Sequence, residues 1–403
     1  MASNDPFSTL LTCAVHAGES HAVPNGLPTA TPVYTSVTFT YDSMADMDRA
    51  FSGEIPGYVY TRHGNPTVAA VERTLLALEG GAGACAFGSG MAALHAALMA
   101  CELRPGSTVL ASQDLYGATL SLLTKIFSMF DVNTVLTDFS DTPALVAKAR
   151  EVRPRVLVAE TISNPLLKVC DLDACGAIAR EVNAKFVVDN TFATPCLTRP
   201  LEHGADFAVH SATKYLGGHA TLTGGVVVSK QPQDHDAVYQ VMKLVGGILG
   251  PWEAHELSRG LKTLPLRFER QCANARQISE ALSKDKRVQR IYYPAMCETP
   301  ERLARILQPA CAGALVSFVL ADDSREAAFR FMDSLKLCVR ATSLGDVFTT
   351  AVHPATSSHR DVPPARRQKL GVTEGLVRIS AGIENVADIL ADIDQALIAA
   401  AKV

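Results

Sequence analysis

The stretch HSATKYLGGH, residues 210–219, decides the interpretation of this sequence. The apolar run DFAVHSA (206–212) is typical of a buried strand, and it carries Lys214 into a turn closed by two glycines. Upstream, FVVDNT (186–191) is typical of a second buried strand, which ends on Asp189. Because open α/β sheets bind their ligands at the carboxyl ends of parallel strands, we expect Lys214 and Asp189 to face one crevice.

The side chains around Lys214 suit one kind of cofactor. A lysine beside small hydroxyl groups and a Gly-Gly turn can be approached closely, and it can be desolvated enough to act as a nucleophilic amine. Ser211 and Thr213 supply hydroxyl groups for a phosphate. A lysine for a carbonyl carbon, an aspartate for a pyridinium nitrogen and hydroxyl groups for a phosphate together indicate a pyridoxal phosphate site.

Length and composition narrow the class of protein. With 403 residues, the chain is long enough for a large domain and a smaller one. Apolar residues make up 48% of it and charged residues 19%, as in ordinary globular proteins. The formal net charge of −4 gives no reason to expect nucleic acid or an anionic membrane as a partner.

The cysteines and the N-terminus predict a cytoplasmic protein. The ten cysteines are scattered, without a CxxC pair or metal-ligand spacing, so we expect reduced thiols and no metal site. Residues 1–15 lack a basic segment and a long apolar core, so no signal peptide is expected. The uncharged run 80–101 is long enough to span a membrane. It contains five glycines and a histidine, which favours a buried strand, turn and helix instead.

Periodicity predicts an α/β fold. A helix should begin after the cap residue Asn65, with Pro66 in its first turn, and should end at Gly80. Beyond it, short apolar runs alternate with helix-length segments, which predicts a mainly parallel, seven-stranded sheet covered on both faces. The seven candidate strands are residues 84–87, 108–112, 133–137, 155–160, 185–189, 206–210 and 225–229.

The rest of the chain divides around this sheet. Residues 1–63 are rich in turn residues but include the apolar run 32–41, which should pack on another surface. We expect a large cofactor-binding domain over residues 64–255. A smaller α+β domain should follow over residues 256–403, with strands near QRIYYP, GALVSFVL, KLCVRAT and LVRIS.

Eight motifs, in order along nearly the whole chain, resemble the trans-sulfuration, or Cys/Met-metabolism, family of pyridoxal phosphate enzymes. This family includes cystathionine γ-synthases, cystathionine γ-lyases, methionine γ-lyases and O-acylhomoserine sulfhydrylases. The resemblance implies the fold-type I architecture of these enzymes. The motifs are YTRHGNPT (60–67), FGSGMAAL (87–94), DLYGAT (114–119), ETISNP (160–165), VVDNT (187–191), HSATKYLGGH (210–219), SLGD (343–346) and LVRISAGIE (376–384).

The phosphate group should be held from several directions. The backbone N–H groups of Gly90 and Met91, at the start of a helix, would point at an anion, although a tight helix entry explains this motif equally well. The resemblance implies that Tyr60 and Arg62 of a neighbouring subunit complete the phosphate site. It therefore implies an N-terminal arm that reaches the neighbouring subunit, and a homotetramer built from dimers with shared active sites.

Three further residues match those that surround the cofactor ring in the family. The resemblance implies that Asp189 keeps the pyridine nitrogen protonated, although an aspartate here could also cap a helix. It implies that Tyr116 stacks on the ring, where the alternative is a tyrosine of the core. It places Asn164 near the phenolic oxygen of the ring, where the alternative is an ordinary Asn-Pro turn.

The amino-acid substrate needs a partner for its carboxylate. Arg378 lies inside the apolar run LVRIS, where a charge is costly unless it is paired, and an arginine can bind a carboxylate through two parallel hydrogen bonds. The resemblance places Ser343 beside the same carboxylate. It also implies that Lys214 holds the cofactor covalently and then moves the Cα and Cβ protons, with Tyr116 as a candidate proton donor to the leaving group.

Departures from the family pattern guide the choice of reaction. Thr342 replaces the glutamate of cystathionine-handling relatives, while Ala118 and Leu244 replace a cysteine and an aspartate of methionine γ-lyases. Residues 342–359 nevertheless resemble methionine γ-lyases and acylhomoserine sulfhydrylases. We predict γ-elimination on a homoserine-type, sulfur-containing amino acid such as methionine. The alternative is γ-replacement on an O-acylhomoserine.

Other classes share this fold. Aminotransferases and β-eliminating lyases are built on it, and a relative could bind the cofactor without turnover. The presence of Lys214, Asp189, Tyr116 and Arg378 argues against a protein that only binds the cofactor. No feature of the sequence indicates a structural role.

Overall fold

A computed structural model describes residues 8–16, 28–308 and 311–401. Its larger sheet has seven strands, and all seven coincide with the predicted ones to within one residue at each end. They are β1 (Gly83–Phe87), β2 (Thr108–Ser112), β3 (Asn133–Thr137), β4 (Val156–Glu160), β5 (Lys185–Asp189), β6 (Phe207–Ser211) and β7 (Gly225–Ser229).

The larger sheet is mainly parallel, as predicted. In space the strands follow the order β1-β7-β6-β5-β4-β2-β3. Four neighbouring pairs are parallel, namely β6 with β5, β5 with β4, β4 with β2 and β2 with β3. Strand β7 runs antiparallel to both of its neighbours, β6 and β1. On β5, Val187 and Val188 are both fully buried and belong to different core clusters, because successive side chains point to opposite faces of the sheet. Each face is therefore covered, which explains the continuous apolar runs.

Helices surround this sheet. The first helix after residue 64 begins as predicted, because the side chain of Asn65 accepts the N–H of Thr67 at 2.9 Å, and it ends where Gly80 adopts a φ of 75°. The helices up to the second sheet are α1 (Ser8–His16), α2 (Met44–Ser52), α3 (Pro66–Glu79), α4 (Gly90–Ala100), α5 (Gly117–Ser121), α6 (Thr142–Val152), α7 (Leu172–Glu181), α8 (Thr194–Leu197), α9 (Pro232–Val245), α10 (Pro251–Lys262) and α11 (Leu264–Leu282). Short π or 3₁₀ segments cover Leu122–Ile126, Phe127–Phe130 and Pro200–His203.

A second, five-stranded sheet follows in the chain, as expected for a smaller α+β unit. From one edge of the sheet to the other, its strands are β10 (Val339–Arg340), β11 (Thr350–Val352), β12 (Leu376–Ser380), β9 (Leu315–Leu320) and β8 (Val288–Tyr292). The helices α12 (Pro294–Cys297), α13 (Pro300–Ile306), α14 (Arg325–Ser334), α15 (Pro364–Leu370) and α16 (Val386–Ala400), and a 3₁₀ turn at Pro354–Thr356, complete this part. The domain boundary near residue 255 stays a prediction.

The N-terminal segment has two kinds of environment. Helix α1 packs against α3, α10 and α11, with Leu10 and Ala14 in the core. Residues 28–63 are mostly exposed, and α2 buries none of its side chains. On α2, Met44 is 77% exposed and Phe51 is 62% exposed. Residues 1–7 and 17–27, which the predicted arm also includes, lie outside the described residues.

The uncharged run 80–101 forms the strand β1 and the helix α4, which confirms the prediction of a buried strand, turn and helix. Within residues 8–16, 28–308 and 311–401, no helix combines the length and apolarity that crossing a bilayer requires.

Candidate active site

A cavity of about 570 Å³ lies at the carboxyl ends of β4, β5 and β6. Residues of the second sheet close its other side. Among the residues predicted from sequence, those that line it are Gly90, Met91, Tyr116, Asn164, Asp189, Ser211, Thr213, Lys214, Thr342 and Arg378.

Lys214 follows β6 and is half-buried at the cavity wall. Its Nζ lies 3.2 Å from the hydroxyl oxygen of Ser343, which brings the predicted substrate residue to the predicted cofactor residue. Burial lowers the pKa of Lys214, and the nearby charge of Arg378 lowers it further. A lysine with a lowered pKa is more often neutral, and a neutral amine is the form that attacks a carbonyl carbon.

Asp189 ends β5 at the floor of the cavity. Its Oδ1 accepts the backbone N–H of Thr191 at 2.9 Å, and this hydrogen bond closes a short turn. The next helix begins only at Thr194. Asp189 therefore does not cap a helix. Burial raises the pKa of its carboxyl, while hydrogen bonds from Thr191 oppose that rise.

The start of α4 forms an anion-binding corner. The side chain of Ser89 accepts the N–H of Ala92 at 3.1 Å, while the first N–H groups of the helix, at Gly90 and Met91, have no acceptor inside the helix. A Cβ on residue 90 would lie 2.8 Å from the Cβ of Ser211. Glycine is therefore needed for the helix start to approach the end of β6. The role of this corner in binding a phosphate stays a prediction.

The two hydroxyl residues before Lys214 are fixed by backbone contacts. The N–H of Ser211 donates to the hydroxyl of Thr191 at 2.8 Å. The hydroxyl of Thr213 accepts the N–H of Gly224 at 3.0 Å and also contacts the carbonyl of Gly224 at 3.3 Å. These contacts hold both residues at the cavity wall, next to the start of α4.

Arg378 lies on β12 and is only 2% exposed. One of its terminal nitrogens donates to the side-chain oxygen of Asn164 at 2.6 Å, and its guanidinium carbon lies 5.8 Å from the ring of Phe192. Within the described part of the chain, its Nε is buried without a hydrogen-bond partner. Burial lowers the pKa of Arg378 to about 10. A buried cation with an unused donor fits a bound carboxylate.

Tyr116 presents its ring to the cavity. The side chain is 39% exposed, so it is not a tyrosine of the core. Its backbone N–H donates to Oε1 of Glu160 at 2.6 Å. Glu160 also lines the cavity, and the sequence analysis assigned it no role. The sequence did contain a signal for a role of Glu160 in the site, because Glu160 ends an apolar strand just as Asp189 does.

Tyr60 and Arg62 do not reach the cavity within one chain. The guanidinium of Arg62 donates to the backbone carbonyl of Lys243 and lies 5.5 Å from the ring of Tyr60. Neither residue lines the cavity. Their contribution to a neighbouring subunit stays a prediction.

The cavity rim includes four residues for which the sequence predicted no individual role in the site. Thr356, Ser357, Ser358 and Arg360 line it beside Thr342. Ala118 and Leu244, the two other positions at which this sequence departs from its relatives, lie away from the cavity of their own chain. Ala118 does not line the cavity, and neither does Leu244, which is 81% exposed.

This fold and cavity define the class of pyridoxal phosphate enzymes built on a mainly parallel sheet. Lys214 could bind the cofactor covalently, Asp189 could face its pyridine nitrogen, and the start of α4 could hold its phosphate. The close approach that Gly90 allows brings the start of α4 next to Ser211, the other predicted phosphate-binding residue.

The comparisons identify the family within this class. Residues 11–398 match the family model described as Cys/Met metabolism PLP-dependent enzyme. The chain belongs to this family, which confirms the resemblance, the fold class and the cofactor.

Similar proteins span almost the whole chain. An L-methionine gamma-lyase of Fusobacterium nucleatum subsp. nucleatum is 41% identical over 97% of this chain and 98% of its own. An L-methionine gamma-lyase of Pseudomonas putida is 40% identical, with 97% of each chain covered. The crystal structure of cystathionine gamma synthase from Xanthomonas oryzae pv. oryzae in complex with cystathionine has a TM-score of 0.90 and 34% identity, over 97% of this chain and 98% of that one.

Proposed function

We propose that the protein catalyses γ-elimination on a homoserine-type, sulfur-containing amino acid such as methionine. The products would be 2-oxobutyrate, ammonia and the leaving group. The observation that carries this proposal is the arrangement of Arg378, Lys214 and Ser343. Arg378 and Lys214 line the same cavity, Ser343 lies beside the amine of Lys214, and the Nε of Arg378 is buried without a hydrogen-bond partner among the described residues. Relatives named as methionine gamma-lyases, at about 40% identity over nearly the whole chain, support the choice of substrate.

Each proposed role follows from a position in the cavity. Arg378 binds the α-carboxylate and, with Ser343, orients the substrate so that its Cα hydrogen faces Lys214. Bound pyridoxal phosphate supplies an electron sink that acidifies the Cα and Cβ protons. The neutral amine of Lys214 takes these protons one after the other and releases the first before it takes the second; its lowered pKa favours the neutral form. Tyr116 is exposed to the cavity and donates a proton to the leaving group.

A second candidate is γ-replacement on an O-acylhomoserine, in which a thiol adds at Cγ in place of elimination. It is supported by the likeness to the cystathionine gamma synthase structure, at a TM-score of 0.90. Both reactions use the same lysine and the same arginine. Only the products distinguish them.

The substrate preference tests the proposal. Cystathionine ends in a second charged amino-acid head, and Thr342 offers that head a neutral hydroxyl at the cavity wall. One missing charge-assisted contact is worth about 1.5–3 kcal/mol, or roughly ten- to a hundredfold in kcat/KM. We expect methionine, homocysteine or an O-acylhomoserine to exceed cystathionine in kcat/KM. Thr342→Glu should narrow this gap.

The measurement is a panel of these amino acids, with and without an added thiol, in which 2-oxobutyrate, pyruvate and replacement products are all quantified. Thr342→Gln is the matched control, because it has the length of glutamate without its charge. Cystathionine as the best substrate of the wild type would refute this preference. Replacement products in excess of 2-oxobutyrate would favour the second candidate, and pyruvate as the main product would indicate β-elimination.

The proposal includes a homotetramer built from dimers that share active sites. The exposed apolar side chains of residues 28–63, Met44 and Phe51 among them, would be covered by a second subunit. Tyr60 and Arg62 lie outside the cavity of their own chain, so they are available to the phosphate corner of a neighbour. The ten free thiols favour a cytoplasmic location.

Mixing two inactive variants tests the shared site. Arg62→Ala and Lys214→Ala should each be inactive alone, whereas mixed dimers should contain one intact site. After subunit exchange, we expect about a quarter of wild-type activity, because random pairing makes half of the dimers mixed and each has one of two sites intact. Exchange is verified by native mass spectrometry of isotope-labelled chains. If exchange is complete and activity stays absent, Tyr60 and Arg62 do not complete a neighbour's site.

A further inference from the structure

Two carboxyl groups lie side by side on the floor of the cavity. Glu160 ends β4 and Asp189 ends β5, and the two residues are paired in register on these parallel strands. Because paired neighbours point to the same face of a sheet, both side chains enter the cavity, and both line it. Two carboxylates so close together, and so poorly hydrated, do not both ionise readily.

The surroundings decide which carboxyl holds the proton. Burial raises the pKa of Asp189, but hydrogen bonds from Thr191 and the proximity of His210 oppose that rise. Burial raises the pKa of Glu160 well above its ordinary value, and the charges of Asp189 and Asp114 raise it further. The backbone N–H groups of Tyr116 and Asn164 oppose only part of that rise. Asp189 is therefore the carboxyl that ionises first, and Glu160 is the one that stays protonated.

Glu160 also connects two loops that carry site residues. Its Oε1 accepts the backbone N–H of Tyr116 at 2.6 Å, in the loop after β2. The backbone N–H of Asn164, in the loop after its own strand, interacts with the same carboxyl. Asn164 in turn accepts a hydrogen bond from Arg378 at 2.6 Å. One buried side chain thus holds the backbone beneath the stacking tyrosine and beneath the partner of the substrate arginine.

We propose that Glu160 is a positioning residue that works as a neutral carboxylic acid. It fixes Tyr116 and Asn164 through its oxygens, and it places no second negative charge beside Asp189. The inference rests on the proposed function, because it assumes that Tyr116 stacks on the cofactor and that Asp189 faces its pyridine nitrogen.

Two substitutions separate the hydrogen bonds of Glu160 from its charge. Glu160→Gln keeps a side-chain oxygen with two acceptor sites and carries no charge at any pH. Glu160→Met has a similar length but removes both acceptors. We expect the Gln variant to retain kcat/KM within about threefold, whereas the Met variant should lose roughly ten- to a hundredfold, since two backbone donors lose a buried partner.

A spectroscopic measurement accompanies the kinetics. Visible circular dichroism of the cofactor reports how the ring is held, independently of turnover. We expect the wild-type signal in the Gln variant and a reduced signal in the Met variant, with cofactor content measured on both. If no amino acid is turned over by the wild type, the proposed function fails, and the dichroism still decides the role of Glu160.

Three results would overturn the inference. A Gln variant as inactive as Asp189→Asn would show that position 160 needs a negative charge. A Met variant with wild-type dichroism and kinetics would show that Glu160 positions nothing. If the Met variant does not fold, the Gln variant decides alone: a changed dichroism signal in that folded protein would contradict the inference, and an unchanged signal with retained kcat/KM would support it.

Discussion

Lys214→Ala should lower kcat/KM by at least about a thousandfold, because the nucleophile and the proton-transfer group are lost together. The wild type should be yellow when purified with pyridoxal phosphate. Borohydride reduction followed by peptide mapping should find the cofactor attached to Lys214. The variant should show neither the attachment nor turnover, although its other contacts with the cofactor remain.

The matched control is Lys230→Ala, an exposed lysine just after β7. It should retain the colour, the borohydride product and full activity. Attachment of the cofactor to any lysine other than Lys214 in the wild type would contradict the central assignment of the site.

Asp189→Asn should retain the cofactor but lose roughly a hundred- to a thousandfold in kcat, the cost seen when one charge-stabilising group is removed from an active site. The amide has the shape of the carboxylate and keeps an oxygen for the N–H of Thr191, so the turn should survive. What is lost is the negative charge that keeps the pyridine nitrogen protonated. Cofactor content by absorbance and single-turnover kinetics measure the two effects separately.

The control for this substitution is Asp206→Asn. Asp206 precedes β6, at the end opposite to the cavity, and it contacts Lys185 and the N–H of Phe186. Its replacement should leave kcat unchanged, even if stability falls slightly. Near-normal turnover in Asp189→Asn would reduce Asp189 to a residue that only stabilises its turn.

Most of the larger sheet could be predicted from the sequence because its central strands are buried on both faces. Such a strand is a continuous apolar run bounded by turn residues, so its ends are sharp. The edge strand β3 is the exception, because its residues are exposed or half-buried. The short strand Thr350–Val352 was not predicted, because three residues show no periodicity. Its pairing with Leu376–Ser380 depends on contacts between segments distant in the sequence.

The site was predicted unevenly for a related reason. Lys214 and Asp189 follow recognisable strands, and Arg378 is an anomalous charge in an apolar run, so each has a local signal. Glu160 has the same local signal as Asp189, but its importance depends on the N–H of Tyr116, 44 positions away in the chain. The rim segment with Arg360 has no regular pattern, so only the folded chain places it at the cavity.

The cavity draws its walls from two distant stretches of the chain. Lys214 and Asp189 come from the larger sheet, whereas Arg378 and the rim residues Thr342 and Arg360 come from the second sheet and its connections. Under the proposed function, the lysine and aspartate of the chemistry and the rim residues that select the substrate are therefore encoded in separate halves of the gene. Mutation or recombination in the 3′ half would then change what is bound without replacing Lys214 or Asp189. A library confined to Thr342 and residues 356–360, which leaves Ser343 beside Lys214, is thus a direct route to new substrates.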